Sequence, residues 1–375
     1  MLTPGDPVPW FNAPSVLNPS YNFATAGGRR AVLSYVGALS ADGVLQMLRA
    51  LLDAHAELQA HEVVVFVVTA DPGDRPPGRI PYDPRQIVTF FDETFELART
   101  LRLLGADGRP RLGSYVLDEG MRVVAFVPLA PIERHGEAVL EVVGRLPRRD
   151  AGEDVVGMAP VLIVPRVVEP ELCRRLIDAW ESSETSDSGF MRRDREGRMV
   201  GIIDYGQKRR RDLFLKNDDP LYRALSERCV NRIVPAVAHA YNYGITRVER
   251  FCIACYDAEV GGYFRAHRDT VATPHRRFAM TVNLNADEYE GGKLRFPEFG
   301  KHRYGAPSGD AILFSGHLMH EALPVTKGRR FALLSFFYSG VEAREREAYE
   351  AKFGREHRTI RLTPEAPPEP ADAQG

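Results

Sequence analysis

His267 and Asp269 stand two residues apart, His320 follows at a distance, and Arg330 lies ten residues beyond His320. Two imidazoles and one carboxylate form a three-donor set suited to ferrous iron: they occupy one face of the ion and leave positions open on the other. On a strand, residues i and i+2 project from the same face, so His267 and Asp269 can act as a pair. The third donor must then come from another strand, and His320 is the candidate. An arginine beside such a centre adds a planar fork able to grip a carboxylate at two points.

Competing readings of these residues are weaker. His267-Arg268-Asp269 also has the form of a kinase catalytic-loop triplet, but no Asn follows at the required spacing and neither a glycine-rich loop nor Asp-Phe-Gly occurs. His317 is the rival third donor; it falls in a loop or turn, its spacing to Arg330 is wrong, and it is expected either just behind the donors or at the surface. Arg329 faces opposite to its neighbour Arg330 and is expected outward. His275 and His302 fall between strands and are expected as solvated loop residues. Cys252 and Cys255 lie three apart on a strand and so point to opposite faces. With no second pair beside them they read as buried small residues, not a zinc or redox site.

The elements that must position these groups come in two styles. Residues 1–140 alternate short apolar runs with helical spacing, an α/β pattern. Strands are expected at 31–36, 62–69 (an interior strand), 114–117 and 122–127, the last two joined by a hairpin turn at Asp118-Glu119-Gly120. Helices are expected at 43–58 and 86–104. Residues 145–160 are charged and contain Gly and Pro, as a boundary does. Beyond them come a strand at 161–164, a helix at 170–180 opened by Pro170, and a long packed helix at 221–241 kinked by Pro235. Strands and turns fill 250–338, as a jelly-roll barrel requires. A charged helix is expected at 341–355, and a Pro- and Glu-rich disordered tail from 363.

Two resemblances follow from particular motifs. The order Glu290-Gly291-Gly292-Lys293-Leu294-Arg295-Phe296-Pro297, Gly309-Asp310-Ala311-Ile312-Leu313-Phe314, then His320-Glu321 through Lys327-Gly328-Arg329-Arg330, resembles the prolyl 4-hydroxylase-like branch of the Fe(II)/2-oxoglutarate-dependent dioxygenases. This resemblance covers roughly residues 160–340. It implies a double-stranded β-helix (jelly roll) with flanking helices, and Fe(II) bound by His267, Asp269 and His320. Arg330 and Tyr256, which ends the run Ile253-Ala254-Cys255-Tyr256, would bind the distal carboxylate of 2-oxoglutarate. It also implies dioxygen as co-substrate, ascorbate as reductant, and hydroxylation of a peptidyl (proline-like) side chain or a small molecule with release of succinate and carbon dioxide.

The first part resembles the redoxin (peroxiredoxin) branch of the thioredoxin-like fold through Gly5-Asp6-Pro7-Val8-Pro9, the run 63–71, and Tyr115-Val116-Leu117-Asp118-Glu119-Gly120. Peroxiredoxins need a cysteine nucleophile in the loop held here by residues 37–43. The four cysteines are 173, 229, 252 and 255, so no thiolate is available there. A docking or stabilising role is expected for this domain. The expected organisation is therefore a redoxin-like domain at 1–145, a linker at 146–160, the dioxygenase domain at 161–340, and a charged helix and tail at 341–375. The alternative is a non-catalytic scaffold whose degenerate redoxin domain recruits a partner.

Composition sets the remaining bounds. Hydrophobic residues make up 44% and charged residues 27%, with a net charge of -2; nothing points to nucleic acid as a partner. The opening residues lack a basic stretch followed by an apolar core, and no apolar run would span a bilayer, so a cytoplasmic protein without membrane contact is expected. The basic clusters within 191–216 read as a solvated charged face, or as a mobile substrate lid.

Overall fold

The computed structural model describes residues 1–76, 81–84, 86–147, 155, 157–196, 198–271, 273–353 and 358–361. The chain divides into two compact units, Met1–Glu153 and Asp154–Gly375. Parts of the 146–160 stretch and everything after 361 lie outside the described residues, and with them the expected tail.

The first unit is built on a five-stranded sheet in the order Ile87–Phe91, Val63–Thr69, Arg30–Gly37, Gly113–Leu117, Val123–Pro128. The first three strands run parallel and the last two antiparallel. Arg30–Gly37 is buried along nearly its whole length, because both faces of the sheet are covered. Alternation divides it between two cores. Ala31, Leu33 and Tyr35 join Phe23, Phe66, Phe90 and Leu101 on one side. Val32 and Val36 meet Met47, Leu51, Val139 and Val143 from helices Val44–Asp53 and Ile132–Gly144 on the other. The Asp118 carboxylate accepts from the Gly120 and Arg122 backbone N–H groups and closes the expected hairpin.

Two expected helices in this unit are corrected. Residues 86–104 do not form one helix. Ile87–Phe91 is a strand pairing with Val63–Thr69, and only Glu96–Thr100 is helical; the β-branched and aromatic run gains more from burial in the sheet than from helical spacing. The 43–58 helix is broken at Ala54 into Val44–Asp53 and His55–Ala60. Phe90 stacks on Phe66 at 5.7 Å and meets Phe11 edge-on at 5.6 Å.

The second unit holds two antiparallel sheets. The larger runs Leu162–Val164, Ala311–Ser315, Phe278–Asn283, Arg329–Tyr338, Arg247–Asp257, Arg211–Phe214, Ser186–Asp187; the smaller runs Lys208–Arg209, Tyr263–His267, His320–Ala322, Leu294–Arg295, Arg303–Tyr304. Outward residues of the larger sheet (Phe251, Ile253, Cys255, Leu333) pack on helices Pro170–Glu181, Pro220–Arg228 and Val234–Tyr241. Inward residues (Ala254, Tyr256, Ala279) meet Phe264, Leu294 and Ala322 of the smaller sheet. The expected long helix is not continuous. A π-turn, Cys229–Ile233, precedes Pro235 and takes up the distortion its missing N–H imposes. Helix Gly340–Phe353 follows the last long strand. Among the described residues, no helix is long and apolar enough to cross a membrane.

Phe90→Ala should destabilise the first unit by about 3–5 kcal/mol, the range for losing a fully buried aromatic ring. Urea unfolding followed by near-UV circular dichroism would show it as a lower midpoint.

Candidate metal centre and its cavity

Strands Tyr263–His267 and His320–Ala322 pair so that His267 and His320 sit directly opposite, which puts both imidazoles on the inner face with ring centroids 4.2 Å apart. The strand ends at His267. Asp269 lies past it, held by its backbone N–H donating to the Gly316 carbonyl at 3.0 Å. The reason for pairing His267 with Asp269 is thereby corrected, since a turn and not strand alternation aims the carboxylate. It still lies 3.8 Å from His267 Nε2 and 3.5 Å from His320 Nε2. One donor atom from each residue lies within 4.8 Å of the others, the arrangement of a metal site.

Both imidazoles are set for that use. His267 Nδ1 is 2.8 Å from the Arg265 carbonyl and His320 Nδ1 is 3.0 Å from that of Leu318. A carbonyl only accepts, so each Nδ1 carries the proton and each Nε2 lone pair faces the cluster. Burial first, and then His320, push the His267 imidazole well below its ordinary value and keep it neutral. Phe264 stacks on His267 at 3.5 Å and Phe314 flanks His320 at 4.6 Å.

The cluster opens into a cavity of about 810 Å³ lined by both sheets. Tyr256 and Arg330 also line it; they are register partners on adjacent strands. Arg330 is 3% exposed. Its Nη2 donates to Thr281 Oγ1 and Asn283 Oδ1 at 3.3 Å, and Nε donates to Asn283 Oδ1 at 3.4 Å. These are long bonds to neutral acceptors, and no carboxylate among the described residues pairs with this guanidinium. Its Cζ lies 5.2 Å from the Tyr256 ring centroid. Gly292 permits the passage of the side chain: its φ is +61°, and a Cβ there would stand 2.8 Å from Arg330 Cδ.

The rival residues lie elsewhere. His317 is exposed, and Arg329 reaches outward to Glu181 at 2.6 Å. His302 is exposed as expected. His275 is not a solvated loop residue; it is buried, with Nε2 3.1 Å from Glu249. Arg276 donates to the same carboxylate at 2.7 and 2.5 Å. Cys252 and Cys255 are free and buried on opposite faces.

The segment 191–216 is not a solvated face throughout. It contains strands Met199–Ile203, Lys208–Arg209 and Arg211–Phe214, and Lys208, Arg210 and Asp212 face the cavity. Arg210 holds Asp212 through two 2.7 Å bonds, donates to Ser188 Oγ at 3.0 Å, and donates to Tyr256 Oη at 3.2 Å. Burial opposes charge on both partners. Even so, Asp212 holds the Arg210 guanidinium well above its ordinary value, and Arg210 holds the Asp212 carboxyl below its own. With its oxygen already accepting from Arg210, Tyr256 keeps its own O–H to donate into the cavity. Sequence reasoning missed this network, although alternation through 208, 210, 212 and 214 carried the signal.

Fold and site together define a class: a two-sheet β fold carrying a His-Asp-His group that could hold a metal ion, in one cavity with a buried arginine that pairs with no carboxylate among the described residues. Residues 251–338 match the family model of the 2OG-Fe(II) oxygenase superfamily. The family implies Fe(II), 2-oxoglutarate and dioxygen as its reagents. A PKHD-type hydroxylase from Parvibaculum lavamentivorans is 28% identical over 231 residues, spanning 56% of this chain and 92% of that protein. Among solved structures, a prolyl hydroxylase from Trichoplax adhaerens is similar with a TM-score of 0.41 and 16% identity, over 49% of this chain and 86% of that one. A peroxidoxin from Mycobacterium tuberculosis has a TM-score of 0.35 and 15% identity, over 39% of this chain and 99% of that one.

Glu249→Gln should destabilise the second unit by about 3–5 kcal/mol at neutral pH, because Arg276 is left buried without its partner. Burial works against the Glu249 carboxylate, yet Arg276 and His275 hold it well below the ordinary range. A depressed folded value means stability present above the unfolded value, about 4.3, and lost as pH falls toward the folded one. The gap between wild type and variant in thermal melts should therefore narrow below about pH 5.

Proposed function

We propose that the second unit is an Fe(II)- and 2-oxoglutarate-dependent hydroxylase with His267, Asp269 and His320 as the iron ligands. In this reading its two sheets form a double-stranded β-helix, and the first unit is a thioredoxin-like domain without a peroxidatic cysteine. The observation that carries the reading is the buried Arg330 guanidinium, unpaired and in the same cavity as the three-donor cluster. A buried cation without a counter-charge costs several kcal/mol, and a dicarboxylate cosubstrate supplies that charge. Arg330 would hold the distal carboxylate at two points while Tyr256 donates its O–H to it. The co-substrate is thereby oriented before chemistry begins. Thr281 and Asn283 steady the guanidinium, and Phe264 and Phe314 keep water from the imidazoles.

Bound ferrous iron would supply oxygen activation coupled to decarboxylation of 2-oxoglutarate, yielding succinate and carbon dioxide. Hydroxylation would fall on a peptidyl side chain, proline-like, or on a small molecule, consistent with the hydroxylase relatives. Ascorbate would serve as reductant.

His320→Ala should abolish stoichiometric Fe(II) binding and succinate formation together, measured by anaerobic titration and a coupled succinate assay. Arg330→Gln should weaken 2-oxoglutarate roughly 30-fold or more, the effect of truncating one partner of a buried charge pair. Tyr256→Phe should weaken it by about tenfold, one hydrogen bond to a charged group. Calorimetry on the Fe(II)-loaded protein reads both, and an Arg330→Gln variant with wild-type affinity would overturn the assignment.

A further inference from the structure

One group of charges on the cavity wall is used neither by the metal cluster nor by the Arg330 end. Phe214 pairs in register with Cys252, and alternation places Arg250 on the same inner face of its strand. Its guanidinium carbon lies 5.0 Å from the Phe214 ring centroid and 5.6 Å from that of Phe336. The Arg250 side chain keeps 39% of its surface open and Phe214 is 47% exposed, so an incoming molecule can reach this aromatic-flanked slot.

Charge in the slot is only partly compensated. Among the described residues, the carboxylate in range of Arg250 is that of Glu249, at 3.7 Å. Glu249 is already committed to Arg276 and His275 at shorter distances. Lys208, 5% exposed, pairs with no carboxylate among the described residues. Its ammonium donates to the Gly189 carbonyl at 2.8 Å and stands 4.5 Å from the Phe264 ring centroid. Asp212 is held by Arg210. Burial weighs most against both cations, and a neighbouring arginine adds to it in each case. Burial and then Arg276 lower the Arg250 value, while burial and then Arg210 lower that of Lys208. An anion bound here would relieve that cost, and a carboxylate matches the guanidinium fork.

We propose that this slot is a substrate subsite for a carboxylate: the substrate presents an acid group to Arg250, with Lys208 as the second cation, and lays its apolar part against Phe214 and Phe336. The proposal rests on the oxygenase reading and adds the substrate's class, an organic acid or acidic peptide.

The test uses the full chain, loaded anaerobically with Fe(II) and saturating 2-oxoglutarate so that the Arg330 end is already filled. Calorimetric titration compares 3-phenylpropanoate with 3-phenylpropanamide, a pair differing in charge at one end. The acid should bind about tenfold or more tightly than the amide, a difference of ~1.4 kcal/mol. Arg250→Gln should abolish that preference and Arg250→Lys should retain part of it. Equal binding of acid and amide, binding of neither, or a preference that survives Arg250→Gln would overturn the subsite. Titration with 2-oxoglutarate alone separates the two claims. If wild type binds none, the oxygenase reading itself falls; if it binds 2-oxoglutarate but shows no acid preference, only the subsite falls. The same titration on Arg250→Gln reports whether that variant has kept its fold.

Discussion

A guanidinium buried without a carboxylate is the constraint around which the second unit is arranged. Arg330 is 3% exposed, and its hydrogen bonds among the described residues are long ones to Thr281 and Asn283. Such a group is costly alone and becomes favourable when an anion arrives. The surroundings keep that position open: Gly292 leaves room for the side chain, and Asp212, on the same cavity wall, is already held by Arg210.

Antiparallel register does most of the positioning. Two pairs of residues far apart in the chain, His267 with His320 and Tyr256 with Arg330, are each direct partners across neighbouring strands. A slip of one residue in either pairing would turn a member of the pair to the opposite face. The apolar residues that alternate with them fix the register, since Phe251, Ile253 and Cys255 must reach the helices behind the sheet. Packing on the outer face thus determines geometry on the inner one.

The sequence was legible where period and chemistry agreed. Strand 30–37, hairpin 113–128 and the helix opened by Pro170 follow from alternation, turn residues and a proline at a helix start. It was misleading where one signal masked another. Ile87–Phe91 lay within a helical-looking run, yet its β-branched and aromatic side chains fill a sheet edge. Lys208-Arg209-Arg210-Arg211 read as a solvated charged face or a lid, while the fold buries Lys208, ties Arg210 to Asp212 and leaves Arg211 exposed. His275 looked like a loop histidine because its partner, Glu249, lies on a distant strand.

The sequence by itself determined the candidate donor types, the candidate arginine, the absence of a thiol in the first unit and the two-part organisation, because these depend on residue identity and local period. Only the tertiary structure decided that a turn, not a strand, aims Asp269 and that Arg210 braces Tyr256. It also left Arg250 and Lys208 without committed carboxylates. Those outcomes depend on which strands become neighbours and which charges share one cavity. Such relations are set by the burial of the whole chain, and no local stretch encodes them.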